Sequence, residues 1–246
     1  MIESIKKIEL KNILFLDIET VPIVENYEEL SDIQKKYWKK KAKYLIENEE
    51  NFEEDMANLF ASNGGIYSEY GKIICISIGF VNEKQEGKEI RIKSFYGDNE
   101  KQLLEDFAKL LNKNYESEDK NLCAHNGKEF DFPYIARRML INGITLPKIL
   151  DLHGKKPWET KFLDTMELWK FGDYKNFVSL ELLADLFNIP TPKDDIDGSQ
   201  VAHTYYKEND LERIVTYCQK DVITTINIFL KYRGENIIPA NKIIIT

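Results

Sequence analysis

Cysteine is scarce in this chain: Cys75, Cys123 and Cys218 are the three among 246 residues, and no pair has a C-x-x-C spacing. That offers neither a disulfide framework nor a zinc site, and it fits reduced thiols packed in the core of a cytoplasmic protein. Long apolar runs are missing as well. The apolar stretch after the N-terminal lysines meets Asp17 within a few residues, so no signal peptide is expected. No segment is long enough to span a bilayer, and a membrane is not an expected partner. Positive charge is in deficit, with 34 Lys and Arg against 42 Asp and Glu and a formal net charge of -8. This argues against a protein that coats nucleic acid through a basic surface, though not against an enzyme that grips a few phosphates through metals. What is present is an ordinary globular composition, 43% hydrophobic and 31% charged, which excludes a disordered chain. The length suits one large domain, or one domain with an insertion.

The most informative stretch is Ile13-Leu14-Phe15-Leu16-Asp17-Ile18-Glu19-Thr20. A continuous apolar run before the turn signal Val21-Pro22 reads as a central strand buried on both faces. Side chains alternate along a strand, so Asp17 and Glu19 project from one face about 7 Å apart. Two anions on a buried face repel each other and are costly to desolvate, and a divalent metal is the leading candidate to sit between them. The alternative is a strand that ends at Leu16 and leaves both acids in a wet turn.

Residues 27–60 lack Gly and Pro and read as one or two helices. Lys35, Lys36, Lys39, Lys40, Lys41 and Lys43 form a basic run there, interleaved with Tyr37, Trp38 and Tyr44. Such a run is either a solvated helix face whose aromatics pack inward, or a helix that meets a nucleic-acid backbone and offers rings for stacking. Strands follow at 72–81 and 89–95, joined by the polar loop 82–88 as a hairpin. The spacing of Leu103, Phe107, Leu110 and Leu111 predicts an amphipathic helix over 99–113. A short strand at 121–124 leads through His125-Asn126-Gly127 to a helix beginning near Phe132, with a further strand at 150–152. Helices are expected at 163–171, 179–187 and 211–232, with the Pro- and Asp-rich segment 189–198 between the last two. The order fits an α/β domain with a mixed sheet of about five strands, the first central and the fourth and fifth parallel to it.

The closing helix carries Ile214, Cys218, Val222, Ile226 and Phe229 as its apolar stripe, with Tyr217 and Asp221 four residues apart on one face. Asp221 lies two turns after Ile214, so it sits in a core-facing row or at that row's edge, where Lys220 or Arg213 could pair with it. Asp131 reads as the N-cap of its helix or as a carboxylate aimed at a ligand. The His125-Asn126-Gly127 loop before it lies at the C-terminal edge of the sheet, where open α/β sheets bind ligands. His125 alone reads as a structural histidine. Asp194-Asp195-Ile196-Asp197-Gly198 lacks the closing glutamate of a calcium loop, Tyr206 standing at that place, and reads as a turn before a capped helix. Trp158, Trp169, Tyr174 and Phe177 either stack on bases or pack in the core, and Lys155 and Lys156 touch phosphates or face water.

Together, Phe15-Leu16-Asp17-Ile18-Glu19-Thr20, the run from His125-Asn126-Gly127 through Phe130-Asp131-Phe132-Pro133-Tyr134, and Tyr217-Cys218-Gln219-Lys220-Asp221 resemble the motifs of DEDD-type 3′→5′ exonucleases of the ribonuclease H-like superfold. The middle motif and Phe177-Val178-Ser179-Leu180-Glu181-Leu182-Leu183 look most like the proofreading domain of family-B DNA polymerases. Trp169-Lys170-Phe171-Gly172-Asp173-Tyr174 and Pro192-Lys193-Asp194-Asp195-Ile196-Asp197-Gly198-Ser199-Gln200-Val201 resemble stand-alone bacterial exonucleases of that kind. One branch places a histidine five residues before the last aspartate, where this chain has Thr216; Tyr217, four before it, matches the tyrosine branch.

The resemblance implies a ribonuclease H-like mixed sheet and one exonuclease domain over 1–246, with a helical insertion at about 25–66 and a short tail at 233–246. It implies two divalent ions, Mg²⁺ or Mn²⁺, about 4 Å apart, a choice that hard carboxylate ligands favour over zinc. Asp17 would bridge them, Glu19 and Asp221 would complete the nucleophile-side ion, and Asp131 would support the other through water. Tyr217 would orient the attacking water, while His125, Asn126 and Phe130 would contact the terminal nucleotides. The expected substrate is single-stranded DNA or a frayed 3′ end, with RNA as the alternative and a non-catalytic nucleic-acid-binding module as the rival class. The chain departs from the polymerases in ending soon after the last helix, which implies proofreading as a separate subunit, or repair or turnover, with any polymerase or repair partner unidentified.

Overall fold

The computed structural model describes residues 2–46, 51–156, 159–160, 162–173, 175, 177–190 and 196–246. Trp158, Tyr174 and Pro192-Lys193-Asp194-Asp195 lie outside the described residues. The strands are β1 (Ile13–Pro22), β2 (Gly71–Lys84), β3 (Gly87–Tyr96), β4 (Asn121–Ala124), β5 (Phe162–Asp164) and β6 (Ile243–Ile245). They form one mixed sheet in the order β5-β4-β1-β2-β3-β6. β1 pairs antiparallel with β2 and parallel with β4, and β5 continues the parallel half. The expected α/β sheet with a central first strand is present, and β6 adds a sixth strand to it. That strand is made by the tail, which pairs parallel to β3.

The helices are α1 (Glu3–Lys6), α2 (Asp32–Ala42), α3 (Phe52–Asn63), α4 (Glu100–Asn114), α5 (Asp131–Ile141), α6 (Thr165–Lys170), α7 (Leu180–Leu186), α8 (Val201–His203) and α9 (Leu211–Arg233). Two apolar cores cover the two faces of the sheet, as the double-sided burial of β1 requires. Leu14, Leu16 and Ile18 point to the core shared with α4 and α5, whereas Ile13 and Phe15 point to the core shared with α9. α9 lies close to the sheet because β2 presents Gly79 beneath it. A Cβ there would stand 2.8 Å from Val222 Cγ1 and 2.9 Å from Ile226 Cδ1. Between β1 and β2, α2 and α3 build a third core around Trp38, Met56 and Phe60, with the Trp38 indole N–H donating to the Met56 carbonyl at 3.1 Å.

Three expectations need correction. Residues 150–152 form no strand: Leu150 is turned back, its N–H donating to the Pro147 carbonyl at 2.8 Å, and serves as a buried loop anchor. The fifth strand is the three-residue β5, where a helix was expected to begin at residue 163, and α6 starts only after Asp164 caps it. The polar segment 82–88 is mostly strand, paired out to Lys84 and Gly87 around a two-residue turn. Its polarity reflects a hairpin that overhangs the core into water. Trp169 takes the core alternative, packing on Phe187 and Tyr232, whereas Phe177 is exposed.

Candidate active site

β1 continues through Pro22, so Asp17 and Glu19 extend the row of Ile13 and Phe15 on the face toward α9 rather than sitting in a turn. They stand opposite Ser77 and Cys75 of β2, and a bulge that skips Ile74 follows Glu19. α9 brings Cys218 onto this pair. Its thiol donates to Asp17 Oδ2 at 3.3 Å and to the Asp17 carbonyl at 3.4 Å. One ligand atom each of Asp17, Glu19 and Cys218 lies within 4.8 Å of the others. The helical turn that places Cys218 also places Tyr217 and Asp221, whose carboxylate accepts the Tyr217 hydroxyl.

Asp131 arrives from the other side of β1. It is the first residue of α5 rather than its N-cap, which is Phe130. The side chain is 3% exposed, and its Oδ1 has no hydrogen-bond partner among the described residues. Burial pushes its carboxyl up to about 8, against the pull of its own and the Ile18 backbone N–H groups, with Asp164 and Asp221 adding repulsion.

Charge ties the four acids into one site. Asp17 is held well above the ordinary carboxylate range by burial, then by Glu19, Asp221 and Asp131. Glu19 is held there by burial, then by Asp221, Cys75 and Asp131. Burial, then the negative charge of Asp221, Glu19 and Asp17, raises the Tyr217 hydroxyl and keeps it protonated. The groups acting most strongly on Asp17 and Glu19 are thus all potential anions. A buried carboxylate oxygen without a partner and a cluster of hard oxygen donors fit divalent cations such as Mg²⁺ or Mn²⁺.

The substrate-contact candidates fare differently. His125 is committed to the fold, with Nδ1 2.9 Å from Thr165 Oγ1 and Nε2 donating to the Val178 carbonyl at 3.0 Å. Burial lowers its pKa and favours the neutral ring. Both ring nitrogens are thus engaged within the fold. Asn126 has a left-handed backbone, φ 60°, and its buried side-chain Oδ1 has no partner among the described residues. Phe130 is half-buried against Tyr134, with ring centroids 5.4 Å apart.

Asp164 is the residue that sequence reasoning missed. From the end of β5 its carboxylate accepts the backbone N–H groups of Asn126 (3.0 Å), Lys128 (3.1 Å), Met166 (2.9 Å) and Glu167 (3.2 Å). It therefore caps α6 and clamps the loop leading to Asp131. The signal was an aspartate three residues before Glu167, a helix-start pattern. Gly127 belongs to the same clamp, because a Cβ there would stand 2.4 Å from the Ala124 Cβ.

Two solved structures are similar to the chain at 13% identity. One is the yeast NOT1 MIF4G domain co-crystallized with CAF1, where the match covers 98% of this chain and 87% of that one with a TM-score of 0.42. The other is the RNase domain of the yeast Pop2 protein, covering 88% and 79% with a TM-score of 0.40. The profile of a family described as predicted 3′-5′ exonucleases related to the exonuclease domain of PolB matches residues 66–236, which carry Asp131, Tyr217 and Asp221; β1 precedes the matched region. With that share of its length matched, the chain belongs to this family of predicted 3′-5′ exonucleases related to the exonuclease domain of PolB.

Proposed function

We propose that the protein hydrolyses single-stranded DNA from its 3′ end to 5′-mononucleotides, with divalent ions held by Asp17, Glu19, Asp131 and Asp221. The observation that carries this reading is the gathering of four carboxylates from β1, α5 and α9, with the Asp131 Oδ1 buried and unpartnered among the described residues. Divalent ions bound there supply the positive charge that offsets the negative charge building on the phosphoryl oxygens. The Tyr217 hydroxyl, protonated at neutral pH, orients the attacking water. Cys218 steadies Asp17 by its S–H donor, and the Asp164 clamp fixes the loop that presents Asn126 to the terminal nucleotide and leads to Asp131, a ligand for the ions. Water adds to phosphorus, the bond from phosphorus to the 3′-oxygen of the penultimate sugar breaks, and that oxygen takes a proton. The products are a 5′-mononucleotide and a strand shortened by one residue. The substrate is a free strand or a frayed 3′ end, presented with or without a polymerase or repair partner.

The test is degradation of end-labelled single-stranded DNA and RNA, each with Mg²⁺, with Mn²⁺ and with chelator. DNA is expected to shorten from its 3′ end only when the ions are present. Asp17→Ala should abolish the reaction, and Tyr217→Phe should slow it about 10²-fold by loss of one positioned hydroxyl. Undiminished activity in the Asp17 variant would refute the site, and cleavage of RNA alone would overturn the DNA assignment.

A further inference from the structure

Helix α2 turns one face inward and leaves the other bare. Trp38 and Ala42 are fully buried, Trp38 packing edge-on against Phe60, Tyr67 and Tyr70. At 100° per residue, Lys36, Lys40 and the capping Lys43 fall on the side opposite Trp38, Ile33 and Tyr37 form the adjoining row, and Tyr44 stands in the turn that follows the helix. The exposures agree: Ile33 is 70%, Tyr37 54% and Tyr44 91% exposed, while Lys36, Lys40 and Lys43 are all on the surface. A solvated helix whose rings pack inward accounts for Trp38 and fails for both tyrosines. Lys35 and Lys39 are engaged by the Glu28 carbonyl and by Glu53. Lys36 and Lys40 instead lie over the Tyr37 ring at 5.9 and 5.1 Å, and none of Lys36, Lys40 and Lys43 makes an ion pair among the described residues.

A row of lysines beside a row of exposed rings is how proteins track single strands, the cations following phosphates and the rings stacking on bases. Lys36 to Lys43 spans about 10 Å at about 1.5 Å rise per residue, about three phosphate spacings of a strand. The segment that carries them is anchored to β1 at its far end. The Gly65 carbonyl, at the end of the insertion, accepts the hydroxyls of Thr20 at 2.8 Å and Tyr134 at 2.7 Å. Thr20 follows Glu19 directly, so the insertion is bolted to the strand end that carries the acids. In a chain of net charge -8, a cationic row with no ion pair among the described residues is a local exception that is complementary to a polyanion.

We infer that the outer face of α2 is a second nucleic-acid contact, holding the single strand upstream of its 3′ end through Lys36, Lys40 and Lys43, with Tyr37 and Tyr44 stacking on its bases. This deepens the exonuclease reading and takes the identity of the polyanion from it.

The test measures binding of fluorescent oligo(dT) and oligo(rU) to the full chain in an Asp17→Ala background, over a range of salt. Lys36→Gln/Lys40→Gln/Lys43→Gln should weaken binding at least tenfold at low salt. It should also flatten the log–log salt slope by about 2, at about 0.7 per phosphate contact on a single strand. Tyr37→Ala/Tyr44→Ala should cost roughly fivefold or more with the slope kept, because stacking carries no counterion release. Losses on both oligomers support a backbone contact, and a loss on one supports it and names the sugar. Unchanged affinity and slope in the lysine variant overturn the inference, as does displacement of oligo(dT) by poly-glutamate at equal charge concentration, which would mark the face for an acidic protein. Trinucleotide hydrolysis by the wild-type chain reads the catalytic centre separately. If it proceeds while the lysine variant binds normally, the α2 contact falls and the exonuclease stands; if it is absent while the lysine variant still loses binding, the reverse holds.

Discussion

Asp131, Asp17 and Glu19 are carboxyls that folding makes reluctant to ionise. Burial is the first cause for each, and neighbouring acids add to it, with Asp131 pushed up to about 8. In the unfolded chain such groups titrate near 4. For Asp131, between those limits the folded state holds a proton that the unfolded state has released, so its stabilising contribution is complete below about pH 4 and declines as pH rises toward about 8; Asp17 and Glu19 act in the same direction. Divalent ions bind the ionised carboxylates and reverse that loss. Mn²⁺ should therefore raise the melting temperature more at about pH 8.5 than at about pH 6, as thermal unfolding with and without the ion will read. An effect of Mn²⁺ that does not grow with pH contradicts the assigned ligands. The sequence made Asp17, Glu19 and Asp221 visible through their position: a pair two apart after an apolar run, and one a helical turn after a tyrosine. It did not reveal Asp164, whose importance lies in four backbone N–H groups that only folding brings to it. The partners of His125 were hidden for a related reason, since Thr165 and Val178, distant in the chain, occupy both ring nitrogens.

The elements that frame the site are locked by a buried charge cluster. Glu100, at the start of α4, accepts from Arg138 of α5 at Nε (2.8 Å) and Nη2 (2.6 Å), from the Ile73 N–H of β2 at 2.8 Å and from Asn142 at 3.0 Å. Arg138 Nη1 also donates to the Ser68 carbonyl at 2.9 Å, which ties in the segment just before β2. Removing one partner leaves a buried charge unmatched. Arg138→Met should cost about 3–5 kcal/mol in denaturant unfolding, and Glu100→Gln/Arg138→Met should recover part of that loss. A cost below about 1 kcal/mol in the single variant would show that the pair is not sealed from water. Helices with a sustained apolar period were legible in the sequence, as α4 and α9 show. β5 was not, because three residues carry no period, and β6 was hidden because its pairing with β3 spans most of the chain. The β2–β3 hairpin was foreseen, although its overhang was read as loop because exposed strand ends are polar on both faces.

Across the whole molecule, a chain of net charge -8 gathers acidic groups at the place proposed to cleave a phosphodiester. Bound cations resolve that contradiction locally, and the lysine row of α2 would resolve it along the strand. The mixed sheet and its central first strand could be anticipated from element order alone, and the helices after that strand from a run without Gly or Pro. Which face of α2 stays bare could not, because basic and aromatic residues alternate through that helix and its inward side is set by Phe60, Tyr67 and Tyr70. The most direct measurement is a count of bound Mn²⁺ by electron paramagnetic resonance, made on the full chain with a 5′-mononucleotide present. About two ions per chain are expected for the wild-type protein, and loss of both on Asp17→Ala. Wild-type binding no greater than that of the Asp17 variant would contradict the account.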